Sequence, residues 1–214
     1  VENLPLEEWL GRVWIAEKAI LTPETTYLGS ILGLAENLLS GSTTVMDMFW
    51  YPDETVRAAK DLGMRVSTGG IFFDLPGIGG RSHKDFVLEA QNFYKSHASD
   101  DSVIPAILPH GSYTVSPQHL SEAKSIADQY GILFCTHAAE TQAEQNDIKT
   151  RYDNSVIRHL DKYKLLGETS VLAHCVHLDD TEISLLAQSK TNVVLNPMSN
   201  LKLGSGIAPV KAMH

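Results

Sequence analysis

The sequence predicts an α/β protein whose strands form one parallel sheet. Three observations carry that expectation. Apolar or β-branched runs of strand length alternate with stretches of helical periodicity, and strands separated by helices pair in parallel because parallel neighbours need a crossover. Three of the runs stop at a histidine in the same place of the pattern: Ile104-Pro-Ala-Ile-Leu-Pro-His110, Ile132-Leu-Phe-Cys-Thr-His137 and Val171-Leu-Ala-His174. Capping residues, prolines and glycines punctuate the helices at the offsets that start and stop them. In a parallel sheet the carboxyl ends of the strands open on one face, where ligands bind. Three imidazoles placed there converge, and that geometry suits metal chemistry.

Two helices are expected in the first forty residues. Leu6, Leu10, Val13, Trp14 and Ile20 give an irregular stripe. Thr22 reads as an N-cap with Pro23 in the first helical position. Leu28, Ile31, Leu32, Ala35, Leu38 and Leu39 then recur at helical spacing until Gly41. Residues 43–49 read as a strand, 52–62 as a helix stopped by Gly63, and 65–73 as the next strand. The loop Leu75-Pro-Gly-Ile-Gly-Gly-Arg81 follows, its glycines marking mobility or close approach. A helix over 82–97 leads to the strand ending at His110, and Ser116-Pro117 opens a helix to Tyr130. Beyond the strand ending at His137, helices are expected over 142–148 and 154–165. After His174, Asp179 and Glu182 have the spacing of a capping box. A sixth strand, 192–195, runs into Asn196-Pro-Met-Ser-Asn200. Six strands are two short of a closed (β/α)8 barrel, which takes about 250 residues. An open doubly wound sheet fits the same alternation.

With 214 residues and 43% hydrophobic content the chain suits a single domain, 1–214, with a well-buried core. The net charge of −9, with no basic run, argues against nucleic acid as a partner. No apolar run approaches the roughly 20 residues of a membrane span. Cys135 and Cys175 lie beside strand-end histidines rather than in a disulfide spacing, so both read as small buried hydrophobes of a reduced, cytoplasmic protein. Homo-oligomerisation is left open. The chain opens on Val1 and closes within an incipient helix, and both ends are expected to be internal cuts.

Thr136-His137-Ala-Ala-Glu140 is the sharpest constellation. Period-two alternation puts Leu133, Cys135 and His137 on the inward side of their strand, with Glu140 just beyond. An imidazole that ligates an ion and a carboxylate that shuttles protons are what metal-assisted hydrolysis requires. A solvated loop acid and a polar plug are the alternative. His174 is assigned inward, with Leu172 on its side of the sheet, and His177, three residues on, to the outside. His110, between Pro109 and Gly111, could contact substrate or be a core histidine. His83, His97, His119, His159 and His214 read as surface groups on helices. Asp47 and Asp74 end strands, and either faces the site or satisfies loop amides. Arg81 is a grip for substrate hydroxyls or anionic groups, or an exposed charge.

Taken in order, six stretches resemble the amidohydrolase superfamily, in its branch of hydrolytic deaminases and chlorohydrolases. That branch includes methylthioadenosine/S-adenosylhomocysteine deaminases and triazine chlorohydrolases. The stretches are Leu4-Pro-Leu-Glu-Glu-Trp-Leu10, Gly41-Ser-Thr-Thr-Val-Met-Asp-Met48, His110-Gly-Ser-Tyr-Thr-Val-Ser-Pro117, Thr136-His-Ala-Ala-Glu-Thr141, Leu172-Ala-His-Cys-Val-His-Leu178 and Asn196-Pro-Met-Ser-Asn-Leu-Lys-Leu-Gly204.

The resemblance implies a (β/α)8 TIM-type barrel lacking here its first and last strands, with a divalent metal, zinc or iron, at its mouth. It implies that His137 is a metal ligand, Glu140 the proton-shuttling acid, His174 the histidine that contacts water or substrate, and His110 and Arg81 substrate contacts. The family's paired His-x-His and its aspartate ligand have no counterpart here, so the remaining ligands are expected outside this chain, which alone should be inactive. The implied activity is removal of an exocyclic amino group from a purine-like heterocycle by attack of metal-bound hydroxide. A triazine-type chlorohydrolase, a cyclic amide hydrolase and a metal-free binding homologue are the alternatives.

Overall fold

The computed structural model describes residues 4–75 and 80–214. Four residues of the glycine-rich loop, 76–79, therefore lie outside the described residues. Helices α1 (Leu6–Ile20) and α2 (Pro23–Leu39) precede a repeating series: β1 (Thr44–Met46), α3 (Pro52–Asp61), β2 (Arg65–Phe72), α4 (His83–His97), β3 (Val103–Pro109) and α5 (Pro117–Tyr130). It continues with β4 (Leu133–Ala138), α6 (Gln142–Tyr152), α7 (Val156–Lys162), β5 (Ser170–His174), α8 (Asp180–Ser189), β6 (Asn192–Val194), α9 (Pro197–Lys202) and α10 (Val210–Met213). All six strands are parallel and stand in chain order. A doubly wound sheet reverses its order at a switch point. Unbroken order with right-handed crossovers keeps the connecting helices on one face, so the sheet is an arc of a (β/α)8-type barrel.

Strand alternation divides the apolar residues into two layers. Ile107, Phe134 and Leu172 face outward and pack with Leu120, Ala123, Ile157 and Leu160 of the helices. Ala106, Leu108, Cys135 and Val171 face inward, joined by Met48, Ile71 and Leu133. Each Leu-sized side chain fully withdrawn from water contributes about 1.5–3 kcal/mol, so the outer layer fixes the strands on which the inner face depends. Gly69 and Gly70 allow the neighbours in. A Cβ at Gly69 would stand 2.1 Å from the Ala106 carbonyl oxygen, and one at Gly70 2.2 Å from the Ala90 methyl.

Several boundaries move. The strand expected over 43–49 pairs only over Thr44–Met46, because the chain then turns into the mouth of the arc. Asp47 accepts the Thr55 hydroxyl at 3.0 Å, and Met48, Phe49 and Trp50 face a cavity. In α2 the apolar stripe is rotated. Leu34 is buried, whereas Leu28, Leu32 and Leu39 are 57%, 64% and 89% exposed. Strands β1 and β6 have one neighbour each, and Met46, Val194 and Leu195 beside those edges are partly exposed.

Four histidines expected on the surface are partly or wholly inside. His159 is fully buried because it shares the inward face of α7 with Val156 and Leu160, against Tyr152 and Tyr163. His97 is tied to Asp53 at 2.8 Å and lies on the Phe93 ring. His83 and His119 stack on each other at 3.4 Å. His214 is exposed.

Candidate active site

His110, His137 and His174 gather at the carboxyl ends of β3, β4 and β5. The ring centroids of His110 and His137 are 5.0 Å apart, and those of His137 and His174 are 5.2 Å apart. His137 arrives by alternation, on the side of Cys135 and Leu133. His174 arrives differently. Its register partner is Ala138, and Leu172, two residues before it, packs outward. The assignment of Leu172 and His174 to one inward face is therefore corrected. His174 and Cys175 have φ of 77° and 47°, and this left-handed turn, rare for residues with a Cβ, swings the imidazole into the mouth. The strand's own pleat would have carried it outward.

Hydrogen bonds fix two of the rings. Thr114 donates its hydroxyl to the Gly111 carbonyl at 3.2 Å, so its oxygen accepts from Nδ1 of His110 at 2.9 Å. Nε2 of His110 is then the unprotonated nitrogen. His174 donates from Nδ1 to Oδ1 of Asn200 at 2.7 Å, and Nδ2 of Asn196 approaches its Nε2 at 3.3 Å. His137 Nδ1 is buried with no partner among the described residues. Burial holds all three imidazoles below their ordinary range. His110 is lowered to about 4 by burial and by charge on His174. His137 is lowered well below normal by burial and both neighbours, and His174 is lowered by burial against the opposing Asn200 bond. Neutral imidazole is the form that binds metals.

Glu140 follows β4, buried, with Oε1 at 3.5 Å from His174 Nδ1. Burial, with the negative charge of Glu7, pushes its carboxyl up to about 7. A second carboxylate supports it. Thr141 caps α6 by accepting the Glu144 amide at 3.0 Å, and Glu144 Oε2 accepts the Glu140 amide at 2.8 Å. Ser112 donates to Oε1 of Glu144 at 3.3 Å. Burial raises Glu144 to about 8.

His110, His137, Glu140 and His174 line one cavity of about 510 Å³, roofed by α1 through Leu6, Leu10 and Trp14 and walled by Trp50, Phe73 and Tyr113. Phe73, Tyr113 and Trp14 surround His110, with ring centroids 4.8, 5.5 and 6.2 Å away. Such a volume with few polar groups suits a small aromatic ligand. Arg81 stands apart. Its Nε meets Glu89 at 2.8 Å, and its guanidinium lies 5.1 Å from the Tyr51 ring and 5.9 Å from the Trp50 ring, so it is not among the residues that line the cavity. His177 turns away to the Ser205 carbonyl at 2.8 Å. Asp74 caps α5, accepting the Ser116 amide at 2.7 Å.

The profile of the amidohydrolase family matches residues 1–214. The chain belongs to the amidohydrolase family. It is 35% identical over 209 residues to a 5-methylthioadenosine/S-adenosylhomocysteine deaminase of Aquifex aeolicus, covering 97% of this chain and 49% of that protein. The zinc-bound crystal structure of an adenosine deaminase from Xanthomonas campestris superposes with a TM-score of 0.96 at 30% identity, over 100% of this chain and 49% of that one. A zinc complex of an atrazine chlorohydrolase from Arthrobacter aurescens shares the fold, with a TM-score of 0.91 at 22% identity over 99% and 52% of the two chains. The chain spans about half the length of the curated relatives it matches.

Amidohydrolases are metal-dependent, and the donors of this amidohydrolase fit a metal in part. His137, held neutral by burial and with Nδ1 unpartnered among the described residues, offers one donor of the kind a cation takes. A catalytic zinc needs three protein ligands, however, and among the described residues the barrel mouth offers no such group of three within 4.8 Å. The residues that sequence reasoning left without a role are Glu144, Asn196, Asn200 and Thr114. Glu140 and Glu144 stand four apart, but a carboxylate at that spacing on a helix is usually solvated. The α1 roof gave no sequence signal of its position.

Proposed function

We propose that this chain is the central part of a metal-dependent aminohydrolase domain that removes the exocyclic amino group of an adenosine-like purine. The reading rests on one observation: three neutral imidazoles and a carboxyl group raised to about 7 around a single apolar cavity. The sequence relatives support the purine class. His137 would hold the ion, most simply zinc, together with ligands from outside these residues; when bound it supplies the Lewis acidity that makes water a nucleophile near neutral pH.

The chain's own groups then have defined tasks. Glu140, poised near neutrality, takes the proton of the attacking water and delivers it to the ring nitrogen. It assists again as ammonia leaves, so that water and an amine become a carbonyl and ammonia. His174, held by Asn200, orients the incoming water. His110 presents Nε2 to the heterocycle beneath the aromatic wall. Arg81, paired with Glu89 outside the cavity lining, has no substrate contact in this reading. Two free, buried thiols, Cys135 and Cys175, fit the reducing cytoplasm, and no helix among the described residues is long and apolar enough to cross a membrane.

The test is ammonia release by the full-length gene product from adenosine, methylthioadenosine and S-adenosylhomocysteine, beside chloride release from a chlorotriazine. Ammonia release that Glu140→Gln abolishes supports the reading. Chloride release without ammonia release would replace it with the chlorohydrolase chemistry.

A further inference from the structure

Glu144 is a buried carboxyl, 3% exposed, with no part in the proton transfers assigned to Glu140. It lies in the first turn of α6, three residues after the N-cap Thr141. A glutamate at that position ordinarily returns to the amide of the N-cap itself. Thr141 does accept the Glu144 amide at 3.0 Å, but the Glu144 carboxyl reaches one residue further back, to the Glu140 amide at 2.8 Å. The Ala139 amide adds a hydrogen bond to the same carboxyl. Helix capping does not account for this. An exposed capping box satisfies a helix start equally well, whereas burial deprives the group of its hydration.

The turn that Glu144 holds also carries the neighbouring strand's end. Ala139 has φ of 52°, and both Ala138 and Ala139 are fully buried. The Ala138 carbonyl accepts the Cys175 amide at 3.0 Å, and the Ala139 carbonyl accepts the amides of Val176 and His177, each at 2.9 Å. These amides directly follow His174, so the left-handed pair His174-Cys175 hangs on Ala138-Ala139. Left-handed backbone at residues with a Cβ persists only where the surroundings fix it. The far side of Glu144 is tied as well. Ser112, two residues after His110, donates to Oε1 at 3.3 Å, and its carbonyl accepts from Arg151 of α6 at 3.4 Å.

We propose that Glu144 is a positioning residue for both Glu140 and His174. By accepting the Ala139 and Glu140 amides it sets the turn that aims the Glu140 carboxyl into the cavity. Through the Ala139 carbonyl, the same turn holds the inward swing of His174. Glu144 does not line the cavity, so its influence passes through this backbone. The consequence for turnover rests on the aminohydrolase reading of Glu140. The mechanical role does not.

The test compares Glu144→Leu, Glu144→Asp and Glu144→Gln with wild type in the full-length protein. Glu144→Leu removes the acceptor, Glu144→Asp withdraws it by one methylene, and Glu144→Gln keeps one carbonyl oxygen for the Glu140 amide. Amide hydrogen exchange, read by mass spectrometry over residues 138–141 and 175–177, should quicken at least about tenfold in the first two. Glu144→Gln should stay within about threefold of wild type. In Glu144→Leu, kcat for ammonia release should fall about 10–100-fold with KM little changed, the pattern of a misaimed group, and Glu144→Gln should recover most of the loss. Glu144→Asp decides the matter if Glu144→Leu fails to fold. Exchange needs no substrate, so a protein that releases no ammonia from any purine fails the aminohydrolase reading while exchange still decides the clamp. Exchange unchanged at either stretch in a folded Glu144→Leu or Glu144→Asp protein would overturn the proposal. So would equal quickening in Glu144→Gln, or kcat unchanged where exchange has quickened.

Discussion

Asn200 Oδ1 stands 2.7 Å from His174 Nδ1, and that contact decides which nitrogen of the ring carries the proton. An amide oxygen only accepts, so Nδ1 donates and Nε2 is left as the acceptor. Asn200 is itself buried at the first turns of α9, next to the Asn196-Pro197 start of that helix.

Replacing Asn200 with leucine removes the acceptor while keeping the volume. The full-length enzyme should then lose about 10–100-fold in kcat, the range found when partners behind a working histidine are removed. Steady-state kinetics against temperature-matched wild type checks this. A KM change with kcat intact would assign Asn200 to binding instead.

Glu140→Gln keeps shape and hydrogen bonding but cannot move a proton. General acid–base catalysis is worth about 10²–10⁴-fold, so kcat should fall at least that far while substrate still binds, measured by calorimetry. Activity within tenfold of wild type would remove Glu140 from the proton path.

Glu144 makes a stability prediction with a definite sign. Its folded carboxyl is raised to about 8 by burial, so between the unfolded value and 8 the native state holds a proton that the unfolded state has released. Stability is full below the unfolded value and falls as pH rises toward 8, by up to about 1.4 kcal/mol per pH unit. Glu144→Gln removes that slope. Its Tm relative to wild type should therefore rise between pH 5 and pH 8, and a constant difference would show that the carboxyl is not protonated in the fold.

His159 runs the other way. Burial lowers its imidazole to about 4, and neither ring nitrogen has a partner among the described residues. The unfolded chain binds a proton below its ordinary value while the native state does not, so stability is lost as pH falls from about 6.5 to 4. His159→Phe should match or exceed wild-type Tm at pH 7 and exceed it further at pH 5. Thermal melts at the two pH values decide it.

Much of this fold was readable because each strand–helix unit repeats the same punctuation. The Thr22-Pro23, Ser116-Pro117 and Asp179–Glu182 signals all mark real helix starts. The sheet's closure sense was not readable, since periodicity is the same in an arc and in a doubly wound sheet. At the site, His137 followed from alternation. The inward turn of His174 does not follow from alternation, because left-handed φ at two successive non-glycine residues leaves no trace in a hydrophobic pattern. The burial of His159 and the stacking of His83 on His119 are invisible in the sequence because a histidine on a helix does not announce which face it shares. Glu144, Asn200 and Thr114 escaped because each acts on another side chain that is distant or turned, and only folding shows the pairing.

The cavity's central cluster is best tested by an anomalous diffraction map at the zinc edge on crystals of the full-length protein. The expected result is a peak at bonding distance from a His137 ring nitrogen, with the Glu140 carboxylate and the His174 ring facing it across the same cavity. A map with no peak there in zinc-saturated crystals, or with His137 turned from the cavity, would contradict a hydrolytic metal centre at this mouth.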